Sequence, residues 1–266
     1  SQREIIGADC IPFTTNMNVL MDECKKIAPV DTPTIFERIW RGSMPGIVSG
    51  LYADRNMYYS SYLSTYVERD VRDISGTVDA LKFNRFITAV AARTAQLLNY
   101  HALAEDAEID MVTAKAWVDI LETLGIIFLL HPYSNNVLKR TIKTSKVYFY
   151  DTGLVCYLTK WSSPEVAESG AMSGALLENF TVSEILKGYQ NAGREPYLYF
   201  YRDRDAKEID VIMEGDGKLC PLEIKKTATP DKRIIRTFSV IDKSPLQLGT
   251  GAVLCMAERF GAFDRD

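Results

Sequence analysis

Hydrophobic residues in the first 75 positions recur every three or four residues, which is the spacing of an amphipathic helix. This pattern predicts helices over Asn16–Ile27, over positions 31–40 and over Asp54–Ile74. Pro33 falls in the first turn of the second of these helices, a position that proline favours. A loop is predicted over Arg41–Gly50. The first part of the chain is therefore expected to be helical.

From about residue 80 to residue 150 the pattern predicts three helices followed by two strands. The helices are predicted at 82–99, Ala102–Ala107 and Thr113–Leu124, and the strands at Ile126–Leu130 and Lys146–Tyr150. Two helices, a turn, a third helix and a two-stranded wing are typical of the winged helix-turn-helix. This order of elements is specific to the winged helix-turn-helix, but it does not indicate whether the partner is DNA or protein.

Charge divides this segment into two parts. The last helix of the three, from Asp110 to Glu122, carries three acids against one base, a poor match for a phosphate-lined groove. The wing loop that follows is basic and contains no acid. Contact with DNA through the wing and packing of the winged helix against protein therefore both remain open. The basic side chains of the wing are Lys139, Arg140, Lys143 and Lys146.

A segment rich in Ser, Gly, Ala and Glu at 161–173 separates this part from a different pattern. Beyond it, helical periodicity is followed by three strand-like runs, a second helix that starts with proline, and a fourth strand. The order αβββαβ predicts a small α/β domain, and the chain as a whole is of the α/β (α+β) class. The predicted elements are a helix at 175–190, strands at 196–202, 207–214 and 219–226, a helix at 230–241, and a strand at 251–257.

Two of these strands are joined by Asp-Gly at positions 216–217, the favoured pair for a two-residue type I′ hairpin turn. With the turn centred there, Asp210 lies opposite Glu223 and Glu208 lies opposite Lys225. Side chains alternate along a strand, so all four are expected on one face. The second pair attracts, whereas two carboxylates directly opposite each other destabilise a hairpin.

Two carboxylates this close favour a cation between them. Oxygen ligands suit Mg²⁺ or Mn²⁺, and Mg²⁺ typically takes one or two protein carboxylates and several waters. The alternative is a solvated strand face on which charges cost little. The neighbouring run at 196–202 is apolar on both faces, which predicts that the sheet is covered and favours the metal site.

The residues of this hairpin resemble the D…E-x-K signature of the PD-(D/E)XK nuclease superfamily, and the αβββαβ order is similar to its restriction-endonuclease-like core. The resemblance implies that Asp210 and Glu223 are metal ligands. It implies that Lys225 orients the attacking water and offsets charge in the transition state. Glu178 matches an acid of the first helix that often completes such sites. Ile209 stands where the superfamily has proline, which is a departure from its pattern.

A wider resemblance, to the C-terminal portion of a prokaryotic family of AAA-type ATPases, covers nearly the whole chain. It implies a helical tail of the ATPase domain at 1–78, a winged helix at 79–160, a linker at 161–173 and a nuclease-like domain at 174–266. ATP would bind only through a P-loop domain upstream, because no P-loop motif occurs in these 266 residues. The stretches that carry the resemblance are IWRGSMPGIV, SYLSTYVERDVRDI, KTSKVYFYDTGLVCYL, GALLENFTVSEILK, YFYRDRDAKEIDVIME and PLEIKK.

Composition narrows the functional classes. The net charge is −4, so contact with nucleic acid requires a local basic patch, for which we predict Lys139, Arg140, Lys143 and Lys226. Five scattered cysteines without a C-x-x-C pair indicate free thiols in a cytoplasmic protein. No apolar run reaches the length of a membrane span. The two histidines favour neither a zinc site nor a catalytic triad.

Two functions follow from these features. The first is a Mg²⁺- or Mn²⁺-dependent nuclease built on Asp210, Glu223 and Lys225, with Glu178 as a further metal ligand. The second is a non-catalytic module that binds DNA or a partner protein and regulates the ATPase. A third reading treats the hairpin charges as having no function.

Overall fold

The structure is a computed structural model, and it describes residues 1–67, 69, 71, 79–133, 144–203 and 207–263. The chain has a mixed α/β architecture. The α-helices are α1 (Gln2–Ile5), α2 (Met17–Lys26), α3 (Thr32–Arg41), α4 (Pro45–Val48), α5 (Arg55–Tyr62), α6 (Ala80–Ala91), α7 (Tyr100–Ala107), α8 (Met111–Thr123), α9 (Thr152–Leu158), α10 (Pro164–Ser169) and α11 (Ser173–Asn191). The strands are β1 (Gln96–Leu97), β2 (Ile127–Pro132), β3 (Lys146–Phe149), β4 (Leu198–Arg202), β5 (Glu208–Gly215), β6 (Lys218–Lys225), β7 (Gln247–Leu248) and β8 (Ala252–Cys255).

Most of the predicted helices and strands occur in the structure, with differences in their extent and number. The helix predicted at 82–99 ends at Ala91 and is followed by the unpredicted strand β1, and the unpredicted strand β7 lies before β8. The region expected to be a loop contains α4, and the segment expected to connect two domains contains α10. The helix predicted from Asp54 begins as α5 and continues as a π-helical turn over Leu63–Val67. Its predicted end lies outside the described residues. The helix predicted at 230–241 is a 3₁₀-helix over Lys232–Lys243.

The described chain divides into two compact units. One, which we call the helical unit, contains Phe36–Leu129 and Ser145–Ser183. The other, which we call the sheet unit, contains Ser1–Ile35, Leu130–Thr144 and Glu184–Asp266. This grouping rests on spatial contact. The domain boundaries inferred above from the sequence stay predictions.

Aromatic packing joins two helices of the helical unit, α6 and α8. The rings of Phe83 and Phe86 on α6 each lie 5.3 Å from Trp117 on α8, in edge-on contacts. Strand β1 follows α6 and pairs antiparallel with β3, with Gln96 opposite Val147. Helix α7 contacts both α6 and α8, so these three helices form one packed group.

In the sheet unit, β4, β5 and β6 form an antiparallel sheet, and β7 and β8 pair parallel with β6. The last residues of β2, His131 and Pro132, pair parallel with β4. The 3₁₀-helix packs against this sheet and covers the hairpin strands. The residues that form the core between them are Tyr133, Ile209, Ile212, Leu219, Phe238 and Ile241.

The N-terminal segment of the chain packs on the second half of α11, within the sheet unit. The backbone N–H of Gln2 donates to Glu184 Oε2 at 2.6 Å, and the Tyr189 hydroxyl donates to the carbonyl of Phe13 at 3.1 Å. The amide of Asn191 donates to Glu4 Oε2 at 2.7 Å. Sequence periodicity gave no indication of this association.

No helix in the described part of the chain is both long and apolar enough to cross a membrane.

Candidate functional site

The hairpin β5–β6 has the register that its turn predicts. Asp216 and Gly217 have φ angles of 51° and 70°, the two left-handed positions of a type I′ turn. The paired residues run from Gly215 opposite Lys218 to Val211 opposite Leu222. This register brings Asp210 next to Glu223, as expected from the sequence.

A β-bulge lies at the acidic end of β5. Tyr199 of β4 is opposite Ile212, but Tyr201 is opposite Ile209, so Phe200 alone lies opposite both Asp210 and Val211. A bulge redirects the side chains of its strand. Ile209 consequently packs in the same core cluster as Ile212, although strict alternation along β5 would put these two side chains on opposite faces.

Asp210 and Glu223 are both buried, with 6% and 4% of their surface exposed. The ammonium of Lys225 lies between them, with Nζ at 2.9 Å from Asp210 Oδ2 and 2.7 Å from Glu223 Oε2. The sequence placed Lys225 opposite Glu208, whereas in the structure Glu208 forms an ion pair with Arg202 at 3.2 Å. The three residues predicted as catalytic are therefore in direct contact, and a cation already sits between the acids.

Two further groups hold the carboxylates, and the sequence did not reveal either of them. The backbone N–H of Ile224 donates to Asp210 Oδ2 at 2.8 Å. The hydroxyl of Thr237, on the 3₁₀-helix, donates to Glu223 Oε1 at 3.4 Å. No motif links Thr237 to the hairpin in sequence, so the contact depends on how the 3₁₀-helix packs.

Burial raises the pKa of Glu223 to about 8, and the negative charge of Asp210 and a hydrogen bond with it add to this effect. The hydrogen bond and charge of Lys225 oppose the rise but do not cancel it. Burial lowers the pKa of Lys225, but the two carboxylates outweigh burial and raise it above its ordinary value. The lysine therefore stays charged, and Glu223 exchanges a proton near neutral pH.

The donor set fits a divalent cation of the Mg²⁺ type. Asp210 and Glu223 would supply one or two carboxylate ligands, the number that Mg²⁺ usually takes from protein. Among the described residues, no group of three or more His, Cys, Asp or Glu side chains is arranged to hold a metal ion. Water would therefore complete the coordination, and an ion at this place would compete with the ammonium of Lys225.

The other residues predicted for the site are distributed as follows. Glu178 belongs to the helical unit, where it accepts hydrogen bonds from Lys146 Nζ at 3.0 Å and from the Tyr148 hydroxyl at 2.7 Å. Lys146 is buried, so it is not the exposed wing base that the sequence suggested. Lys226 is exposed beside Lys225. Lys139, Arg140 and Lys143 lie outside the described residues.

A family model described as "Domain of unknown function (DUF8612)" matches residues 32–165, which is just over half of the chain. The chain belongs to the DUF8612 family. A second model, "Domain of unknown function (DUF4143)", matches residues 173–265. The DUF8612 match covers most of the helical unit, and the region similar to DUF4143 contains the complete Asp210–Glu223–Lys225 site.

Two curated relatives are similar to this DUF8612 chain. They are the uncharacterized proteins Mb2031c of Mycobacterium bovis and Rv2008c of Mycobacterium tuberculosis, each 27% identical over 224 residues. The alignment covers 84% of this chain, and the chain spans about half, 49%, of each relative. No solved structure matches the chain.

Proposed function

We propose that this DUF8612 chain carries a divalent-metal phosphodiester-cleaving site on the hairpin β5–β6. The observation that supports it is the convergence of two buried carboxylates and a lysine within 2.9 Å. Burial of two acids side by side costs free energy, and a buried carboxyl group with a raised pKa, such as that of Glu223, is frequently functional.

The proposal includes finer assignments of fold. Apart from the two-residue strand β7, the elements from α11 onward occur in the order α11, β4, β5, β6, 3₁₀-helix, β8. This order supports a restriction-endonuclease-like domain, since it repeats the αβββαβ pattern. The order α6, β1, α7, α8, β2, β3, with β1 paired to β3, supports a winged helix-turn-helix. Both assignments agree with the proposal that the chain is the C-terminal portion of an AAA-type ATPase of the cytoplasm.

The roles of the residues follow from their contacts. A bound Mg²⁺ or Mn²⁺ would supply an activated water at neutral pH. Asp210, fixed by the N–H of Ile224, and Glu223, fixed by Thr237, would bind the ion and orient it. Lys225, whose side chain is 42% exposed, is the member of the site that solvent reaches. When the ion binds, the ammonium of Lys225 would move away from the two carboxylates. It would then stabilise negative charge on the phosphate oxygens.

Incubation of the purified chain with supercoiled plasmid and with single-stranded DNA, in Mn²⁺, tests this function. We expect nicking that falls at least about 100-fold in Asp210→Asn and in Lys225→Met, because each removes a charge from the site. Glu208→Gln, on the same strand and paired with Arg202, is the matched control and should keep the activity. Nicking that persists in Asp210→Asn contradicts the proposal.

A second candidate is the non-catalytic module that binds DNA or protein and regulates the ATPase. It is favoured by the position of Lys225, whose ammonium already lies between the two acids, where a metal ion would bind. The observation that would select it is a thermal midpoint unchanged by Mn²⁺ together with the absence of nicking. Phosphate contacts by Lys226 and by the wing residues would then give DNA binding that weakens with salt.

A further inference from the structure

The first turn of α8 exposes two large apolar side chains. Val112 is 79% exposed and Met111 is 55% exposed. On the neighbouring helix, Leu81 is 63% exposed, and the ammonium of Lys82 beside it reaches the carbonyl of Glu108 in the turn before α8. These apolar side chains lie on the helical unit, away from the hairpin β5–β6 in sequence.

The helix itself does not require this apolar surface. Its buried stripe is already complete and packs against α6 through Trp117. Valine is a weak helix former, because branching at Cβ restricts its rotamers in a helix. The exposed Val112 therefore contributes neither to helix formation nor to core packing. Residues that do not fit their local structure in this way are found mainly at functional sites. The buried stripe consists of Ala114, Trp117, Val118, Ile120 and Leu121.

Along the exposed side of α8, beyond these apolar side chains, two of the three charged residues are negative. The exposed residues of α8 include Asp119 and Glu122 against Lys115, and Asp110 caps the helix through Thr113. Two acidic residues at the end of α7 form ion pairs with arginines of the helical unit. Their ion pairs are Arg93–Asp106 at 2.6 Å and Arg85–Glu108 at 2.5 Å.

We propose that the exposed surface of α8, formed by Met111, Val112, Lys115, Asp119 and Glu122, is a docking site for a basic amphipathic segment of a partner protein. Apolar patches rimmed by polar residues mark interaction sites, and methionine is enriched in them. The acids complement lysine or arginine that flanks the apolar contacts. They also repel phosphate, so this helix is not a reader of the DNA groove. The docking site does not depend on the phosphodiester site proposed above.

Titration calorimetry with a designed peptide tests the docking site on the whole chain. The peptide has about 18 residues, long enough to form a helix, with Leu and Lys at helical spacing. A second peptide with Glu in place of each Lys is its matched control. We expect the lysine peptide to bind and the glutamate peptide to bind at least about tenfold more weakly, since the charge of α8 selects between them.

Variants locate the binding. Val112→Ser removes apolar contact, and Asp119→Lys reverses a charge of the rim; each should weaken binding of the lysine peptide at least about tenfold. Glu165→Lys makes the same change of charge on α10, at another exposed helix of the helical unit, and should leave binding unchanged. Both positions on α8 are exposed, so circular dichroism melts should match those of the parent chain.

Three results would overturn the docking site. The first is no binding of the lysine peptide up to about 1 mM. The second is an equal loss of binding in Glu165→Lys and Asp119→Lys, which would show that only total charge matters. The third is binding of duplex DNA by the parent chain that is lost in the Val112→Ser variant, which would assign this surface to nucleic acid.

Discussion

Glu223 is the residue whose chemistry is most altered by the fold. In the unfolded chain its carboxyl group titrates near 4.5, and burial beside Asp210 raises this pKa to about 8. Between these pH values the folded state holds a proton that the unfolded state has released. Folding stability therefore falls as the pH rises through this window, and no such loss occurs below it.

Glu223→Gln should remove this pH dependence. At pH 9, in buffer with a chelator, we expect the variant to be more stable than the parent by about 1–3 kcal/mol, because it buries no second negative charge. At pH 4.5 the two proteins should differ little. Urea unfolding across this range measures the difference. A parent chain whose stability rises from pH 5 to pH 8, with no change of slope in the variant, would contradict the raised pKa.

Lys225→Met should show the opposite pattern. Without the ammonium, two buried acids lose their cation, and we expect a loss of about 1–3 kcal/mol at pH 9, limited by the partial exposure of the lysine. The loss should be smaller at pH 5, where Glu223 is protonated. Lys226→Met, at the exposed neighbour, is the control and should change stability by less than about 0.5 kcal/mol. An equal loss at both pH values would show that Lys225 acts through packing alone.

At the residue scale, the sequence predicted the three central members of the site and missed their supports. The grouping of Lys225 with the two acids comes from the resemblance to the PD-(D/E)XK superfamily, whereas the meeting of Asp210 and Glu223 follows from local rules, namely one turn and the alternation of a strand. Thr237 and the N–H of Ile224 do not. The Thr237 contact arises from packing of the 3₁₀-helix on the hairpin, and the Ile224 contact accompanies the bulge at Asp210. The sequence of one strand predicts neither the packing nor the bulge.

At the scale of elements, the β5–β6 hairpin depends on two left-handed residues at its turn. Gly217 has φ 70°, and a Cβ placed there meets no atom within 4 Å. A substitution would therefore cost free energy through the backbone conformation alone. The register of the hairpin, and hence the meeting of Asp210 with Glu223, depends on this turn.

Gly217→Ala should destabilise the chain by about 1 kcal/mol, because alanine resists the left-handed conformation. Gly215→Ala is the matched control, since Gly215 lies in β5 with equal free space and no positive φ. It should be neutral or slightly stabilising. Thermal unfolding of both variants measures the difference. Equal effects at the two glycines would show that the turn does not set the hairpin.

The elements that the sequence predicted well are those with strong periodicity or a defined turn. The helix α11 and the strands of the hairpin are examples. It missed β1 and β7, which have two residues each and show no pattern, and it missed α4 within Arg41–Gly50. It also predicted an α-helix where a 3₁₀-helix lies, since Lys232–Lys243 has an apolar stripe that fits both.

At the scale of the whole molecule, each unit is assembled from separated stretches of the chain. The sheet unit takes Ser1–Ile35 from the start of the chain and Glu184–Asp266 from its end. Strand β4 gains a parallel neighbour from the last residues of β2. The sequence predicted a domain at residues 174–266, most of which belong to the sheet unit. This range therefore lacks two parts of that unit, Ser1–Ile35 and Leu130–Thr144.

A fragment of residues 174–266 should be less stable than the sheet unit of the whole chain. Without β2, the backbone of β4 becomes an unprotected edge, and such edges associate with one another. We expect the fragment to form soluble aggregates on size-exclusion chromatography and to show weak amide protection in β4 by hydrogen exchange. Addition of residues 1–35 as a peptide should restore part of the protection in α11. A monomeric fragment with full protection would contradict this.

The packing of Gln2 and Phe13 on α11 has a consequence for biosynthesis. Gln2 and Phe13 must wait for partners that lie 182 and 176 residues later in the chain, a delay on the order of 10–40 s at usual elongation rates. The intervening helical unit can complete its fold during that interval. The segment that contains Gln2 and Phe13 therefore stays unassembled while the helical unit is already folded, which makes this segment a natural substrate for a holding chaperone.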